Sequence, residues 1–363
     1  MDNQKMKTVG IRDVAAKSGV SISTVSNVLN NKRYVSPEMA RRVRAVAEEM
    51  GYVPNPVAKN MKNAKSNIIG VITNDMFGVF TQYIVKGINE VAARHGYTII
   101  VSSAKEEGKS EEEREIELLQ QYINSNVDAV ILSSSVCDSL SERHCKQIVE
   151  LANRFKSTPV ISLERDFSAF GIDSVFFDGY ANAKTAVQHL VDTGCKCICH
   201  ISGPENTQMA QERIEGYKAA LEENGIAFNP RMMVSGNYSH KSGYLAMKQL
   251  LDNNSAIDGV FCANDQMGVG ALKTVKEYGL SAPKDIKIIG YDDIFVSSIM
   301  EPSLSTIHIR KHHAGNEVAR IAIDRIENNN PDLPIQKILL ESRLVVRKST
   351  VASVADDWIL TDW

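Results

Sequence analysis

Six mostly small side chains crowd the start of one helical stretch, GVSISTVSNVLNN: Ser21, Ile22, Ser23, Thr24, Ser26 and Asn27. From Val25 the apolar residues Val25, Val28 and Leu29 repeat at i, i+3 and i+4, so they form the buried stripe and the six lie largely off it. A helix that only met water there would more often carry Lys and Glu. Hydrogen-bonding groups at the positive end of a helix suit the reading of a duplex, in which the N-terminal turn enters the major groove. Ile22, Ser23 and Asn27 would face base edges, where Asn pairs with adenine and Ile touches a thymine methyl. Ser21, Thr24 and Ser26 would bond phosphates.

A second set is scattered along the chain but shares one relation. Phe80, Glu164, Arg213, Tyr238, Asn264 and Asp292 each follow a short apolar run: GVITND, VISL, HISGP, MMVSGN, GVFCA and IKIIGY. In doubly wound folds ligands sit beyond the carboxyl ends of strands, so these residues could converge on one cleft. Carboxylates and Arg hold neighbouring hydroxyls and aromatic faces cover the apolar side of a ring, which fits a neutral polyol. Each has a plainer reading: Arg213 as a solvated helix residue, Asp292 and Asp293 as turn caps, Tyr238 as core.

Metal and enzyme chemistry find less support. In GCKCICHISG, Cys195, Cys197 and Cys199 alternate and on a strand would share one face, with His200 on the other. A buried parallel strand uses Cys as a small hydrophobe, and no second C-x-x-C pair completes a tetrahedron. G-x-S-x-G, P-loop and G-x-G-x-x-G motifs are missing, and no nucleophile stands with a base, so no catalytic residue, metal or cofactor is expected. GVGAL, Gly268 to Leu272, reads as close helix packing.

The elements that must position these residues fall into a head and a body. A helix from Ile11 to about Ser18 stops at Gly19, and Ser21 caps the next, the spacing of a helix-turn-helix. Ser36 as N-cap and Pro37 at N1 start a third, striped by Val43, Val46, Ala47 and Met50 and ended by Gly51. Asn55 and Pro56 can open a short helix to about Asn63; alone it is marginal, and it would fold on DNA with Met61 as a minor-groove wedge flanked by Lys59 and Lys62. Residues 1–66 hold twelve Lys and Arg against five Asp and Glu, a formal +7; the rest holds 29 against 39, a formal −10. Such a basic head on an acidic body fits a polyanion partner. Beyond residue 67 short apolar strands alternate with helical stretches, the pattern of parallel sheets covered on both faces, and their number suits two similar lobes. The acidic run SEEEREIELLQQYINSNV is an ordinary surface helix. The chain has 363 residues, 43% hydrophobic, with six Cys, no bilayer-length apolar run and no apolar signal segment. These features predict a cytoplasmic protein with reduced thiols.

IRDVAAKSGVSISTVSNVLNN, the following VSPEMARRVRAVAEEMGYVPNPVAKNMK and the body to Lys348 resemble the lactose/galactose repressor family of transcription regulators. The resemblance implies an all-α helix-turn-helix head on an α/β body of two doubly wound lobes like a periplasmic sugar-binding protein. The lobes would be joined by three crossovers, placed near Arg165, Ser303 and Asn330. Domains would run 1–54 for the head, 55–66 for the hinge, 67–350 for effector binding and dimerisation, and 351–363 for a short acidic tail. It further implies a homodimeric repressor on a palindromic operator, with a carbohydrate effector between the lobes. By position, Arg213, Asn264, Asp292, Tyr238 and Phe80 match effector contacts, and Glu164 falls where the family often has Asp. Asn27 stands where Arg is common and Met61 where a hinge Leu is common, while NDMFGV departs from the family's usual loop. A sugar-binding protein without DNA function, and a regulator under a protein corepressor, stay open as alternatives. The tail lacks leucine heptads, so a C-terminal tetramer bundle is not expected.

Overall fold

The computed structural model describes residues 9–30, 34–52, 65–76, 78–106, 108–136, 138–154, 158–253, 256–328 and 333–355. The chain divides into two compact units, residues 1–66 and 67–363.

In the first unit α1 (Ile11–Ser18), α2 (Ile22–Asn30) and α3 (Pro37–Glu49) enclose a small core of Val14, Ala15, Val25, Val28, Val43 and Ala47. Gly19 ends α1 at φ 64°, a left-handed position that an L side chain enters only with strain. The turn to α2 is tight because Ser21 Oγ accepts the Thr24 N–H at 3.1 Å. Pro37 takes the first turn of α3 as its fixed φ requires, but Ser36 forms no side-chain cap bond. The hinge expectations for Asn55, Lys59 and Met61 lie outside the described residues, as do those for Trp358, Ile359, Leu360 and Trp363.

The second unit holds two six-stranded sheets. The first lobe uses β1 (Ile68–Thr73), β2 (Thr98–Ser103), β3 (Ala129–Ser133), β4 (Val160–Glu164), β5 (Asp173–Phe176) and β11 (Lys337–Leu339), in spatial order β11-β5-β4-β3-β1-β2, all parallel. The second uses β6 (Ile198–Ser202), β7 (Met233–Ser235), β8 (Gly259–Cys262), β9 (Lys287–Asp292), β10 (Ser305–Ile309) and β12 (Ser342–Val345), in order β12-β10-β9-β8-β6-β7. Among the described strands only β12 runs antiparallel, against β10. Helices α4 (Val79–Arg94), α5 (Glu111–Asn124), α6 (Asp138–Arg154) and α12 (Lys311–Asn328) serve the first lobe; α7 (Gly179–Asp192), α8 (Gln208–Glu223), α9 (His240–Asn253), α10 (Asp265–Glu277) and the short α11 (Phe295–Ile299) serve the second. The acidic helix α5 begins with a capping box between Ser110 and Glu113. Among the described residues no helix is long and apolar enough to cross a membrane.

The chain does pass between the lobes three times, but later than expected each time. β5 still pairs with β4, so the first passage follows Phe176 rather than Arg165. β10 pairs with β9, which holds the chain in the second lobe past Ser303 to Ile309. β11 pairs with β5, so the last passage comes after Leu339, not near Asn330. A passage can only follow the last strand its sheet requires, and β10, β11 and β12 take their places from partners distant in sequence. Phe177, Ile309 and Leu340 stand at the three passages and belong to one apolar cluster that continues through both lobes.

Candidate functional site

On α2 the exposed surface is the one the apolar stripe leaves over. Ser21, Ile22 and Ser23 are exposed, Ile22 by 45%, while Thr24, Ser26 and Asn27 are half-buried. Ser21 Oγ lies 2.7 Å from Ser23 Oγ and 2.9 Å from Thr24 Oγ1, so its oxygen is shared between the cap and any outside partner.

In the second unit, Phe80, Glu164, Arg213, Tyr238, Asn264 and Asp292 all line one cavity of about 190 Å³ between the lobes. Phe80 comes from the first turn of α4 and Glu164 from the end of β4 in the first lobe; the other four come from the second. Strand ends therefore do deliver these side chains to one place. Glu164, Tyr238 and Asp292 hold φ of 71°, 66° and 102°, positions that cost a non-glycine residue about 1–3 kcal/mol each and persist only where the surroundings impose them.

Arg213 is the central cation. It is 8% exposed, donates from Nη1 to the Ala263 carbonyl at 2.6 Å and lies 3.9 Å over the Tyr291 ring. Burial opposes its charge, but Tyr291, Tyr238, Asp292 and Glu164 outweigh burial and hold its pKa above the usual range. Glu164 accepts from Ser133 Oγ; burial raises its pKa against Ser133 and Arg213. Asn264 is partly structural: Oδ1 caps α10 at Met267 N, 2.9 Å, and Nδ2 donates to the Tyr238 carbonyl at 3.0 Å. Among the buried polar atoms of the cavity wall, Asn74 Oδ1, Ser135 Oγ and Arg213 Nε have no hydrogen-bond partner. Each such atom costs roughly 1–3 kcal/mol until something satisfies it.

Burial pushes Asp292 up to about 7, against Arg213 and Lys311, with Glu164 and Asp293 adding to the rise. The folded state then binds more protons than the unfolded chain between the ordinary 3.8 and about 7. The Asp292 contribution to ligand-free stability is therefore expected to fall as pH rises through that window, by on the order of 4 kcal/mol, and to level off above it. Urea titrations at about pH 5 and pH 8 check this, and Asp292→Asn should flatten the slope.

A cluster behind the cavity escaped the sequence reading. Asp293 accepts from Arg347 Nη2 at 2.8 Å and lies 2.8 Å from His308 Nδ1. Asp265 accepts from Ile294 N, Ser297 Oγ and Thr306 Oγ1 at 2.7–2.8 Å. Lys311 donates to the carbonyls of Asp292 and Asp293. These residues fix the turn that presents Asp292. The Asp292–Asp293 doublet was the one visible signal, and its partners lie up to 54 positions away.

The three cysteines do not share a face. β6 begins only at Ile198, because Asp258 accepts the N–H groups of Lys196 and Cys197 and turns the chain there. Cys195 and Cys199 enter different apolar clusters, and burial pushes their thiols to about 11 and about 12. His200 stacks on Phe261, centroids 4.7 Å apart, and its Nδ1–H donates to that residue's carbonyl oxygen at 2.9 Å.

Residues 10–55 match the pattern of bacterial regulatory proteins of the lacI family, and residues 187–350 that of a periplasmic binding protein-like domain. The chain is 32% identical over 340 residues to the ribose operon repressor of Halalkalibacterium halodurans, covering 94% of this chain and 96% of that protein. It belongs to the LacI family. Like its relatives, this LacI-family chain is a DNA-binding transcription regulator, and the match of residues 10–55 sets aside a binding protein without DNA function. Its structure is similar to that of the Lac repressor dimer bound to operator and the anti-inducer ONPF, with TM-score 0.82, 27% identity and coverage of 95% and 99%. A LacI-family regulator from Enterococcus faecium with bound ribose is similar at TM-score 0.68 and 28% identity, over 78% of this chain and 98% of that one.

Proposed function

We propose that the protein is a homodimeric repressor whose affinity for a palindromic operator is set by a small neutral sugar or sugar derivative held between the lobes. The observation that carries this reading is the cavity itself. Glu164, Arg213 and Asp292 converge on it from both lobes, with unsatisfied buried polar atoms such as Asn74 Oδ1 and Ser135 Oγ in its wall and Phe80 and Tyr238 as apolar faces. A polyhydroxylated ring satisfies such a wall; an apolar ligand would leave it unpaired, and a strong anion would meet the two carboxyls. The ribose operon repressor and the ribose-bound regulator among its relatives support a sugar of similar size. The reading assigns no catalysis, metal or cofactor to the chain and places it in the cytoplasm.

On DNA, Ile22, Ser23 and Asn27 contact bases, Ser21, Thr24 and Ser26 contact phosphates, and Asn55, Lys59 and Met61 act in the hinge. Asn27→Ala should weaken operator binding by about 1–3 kcal/mol, roughly 5- to 150-fold, and relax the preference at one base position. Selection of bound duplexes from a random pool, followed by anisotropy titration, checks both effects. The same titration across D-ribose and other monosaccharides tests the effector. One sugar should change operator affinity by about 5–150-fold. A panel without any such shift, or operator binding that only tracks salt with no enriched palindrome, would sink the reading.

A further inference from the structure

Lys311 opens α12, two residues after β10 ends and the chain leaves the second lobe, and its side chain is fully buried. The helix it starts is part of the first lobe. There α12 and α4 meet backbone to backbone: a Cβ at Gly87 would stand 2.2 Å from the His312 carbonyl oxygen, and one at Gly315 2.2 Å from that of Ile84. Two helices in such contact leave no room for side chains to slide, so α12 moves with α4. The Tyr83 ring of α4 also covers the Lys311 ammonium, 5.6 Å from Nζ to the centroid.

That ammonium reaches the other lobe. It donates to the Asp292 carbonyl and, at 3.0 Å, to the Asp293 carbonyl, both at the end of β9. Asp292 and Asp293 hold φ of 102° and 56°, so the turn persists only because its surroundings hold it. The Asp293 carboxylate is held by His308 and Arg347, both of which stay in the second lobe. The Asp292 side chain faces the cavity. Lys311 is therefore the group that holds the peptide carbonyls of this turn from a helix of the opposite lobe. A cation is suited to that work, because one ammonium can donate to several carbonyls at once.

We propose that Lys311 is a positioning residue that ties the effector-contacting turn of the second lobe to α12 and α4 of the first, so that a ligand seated on Asp292 is felt across the lobe boundary. This rests on the proposed role of the cavity. Lys311→Met removes the donors at similar length, Lys311→Gln keeps a neutral N–H, and Lys311→Arg keeps the cation.

Two measurements on the full-length protein test the idea. In amide hydrogen exchange without ligand, residues 290–296 should exchange roughly tenfold faster with Met, less so with Gln, and near the native rate with Arg. In operator titrations with and without saturating D-ribose, or whichever monosaccharide of the panel shifts the native protein, the ratio of the two affinities should collapse towards unity with Met and recover with Arg. A Met variant that melts earlier yet keeps the native ratio would reduce Lys311 to a structural role and overturn the proposal. If no monosaccharide shifts the native protein, the sugar reading fails, and the exchange rates still decide: an unchanged rate at 290–296 overturns the tie. Should the Met variant not fold, Gln against Arg carries the same comparison.

Discussion

Arg213→Met is expected to weaken sugar binding by about 2–5 kcal/mol, roughly 30- to 5,000-fold, and to remove the sugar's effect on operator affinity. The size follows from where the cation sits. Arg213 is buried against Tyr291 and is the guanidinium that offsets Glu164 and Asp292 in the cavity. Without it the ligand loses a planar fork, and two buried carboxyls lose the charge that holds their pKa values down. Met fills much of the volume and keeps contact with the Tyr291 ring, so the loss should fall on binding more than on folding. Arg213→Lys should be intermediate, since an ammonium keeps the charge but cannot reproduce the fork. Calorimetric titration with the panel's active sugar gives the affinity, and native-like binding by the Met variant would remove Arg213 from the site.

The second large effect is on stability. Gly270→Val is expected to cost about 3 kcal/mol or more, because overpacking against backbone has no cheap relief. A Cβ at Gly270 would lie 2.0 Å from the His240 carbonyl oxygen and 2.6 Å from the Tyr244 nitrogen, so α9 and α10 would have to part. Their separation opens the cluster of Ala246, Met247, Leu250, Met267 and Ala271. It also displaces Asn264 and Asp265, which cap and begin α10 and lie beside the cavity. At roughly 2–4 °C per kcal/mol the melting temperature should drop by about 6–12 °C, with sugar affinity falling alongside. Lys273→Ala, exposed on the same helix, should stay within about 0.5 kcal/mol of the native protein. Equal melting of the Val variant and the native protein would contradict the packing account.

Much of this was legible in the chain because the signals are local. Gly19 after Ser18, Ser21 before Ile22 and Pro37 after Ser36 mark helix ends through backbone chemistry that acts within one turn. Eight strands, β1 to β6, β8 and β9, announce themselves as apolar runs bounded by turns, and their carboxyl ends are where parallel topology must gather its ligands. That rule pointed to Phe80, Glu164, Arg213, Tyr238, Asn264 and Asp292, the family resemblance favoured the same positions, and all six line one cavity. The packing role of GVGAL was likewise visible, since glycine leaves no side chain to hold a neighbour away, and Gly270 meets the backbone of α9.

Tertiary structure decided what depends on partners distant in sequence. β10, β11 and β12 have three to five residues each and gain their identity from pairing with β9, β5 and β10, so the passages between lobes moved by about ten residues from where they were expected. The turn of Cys195 and Cys197 away from β6 depends on a carboxylate more than 60 positions away, Asp258. Lys311 and Arg347 look like ordinary charges in the chain; only the fold buries them, and burial leaves an ionised side chain no stable option except a partner. Local backbone chemistry and strand polarity thus told which residues line the cavity, while the long-range pairing of buried polar groups determined what holds them there.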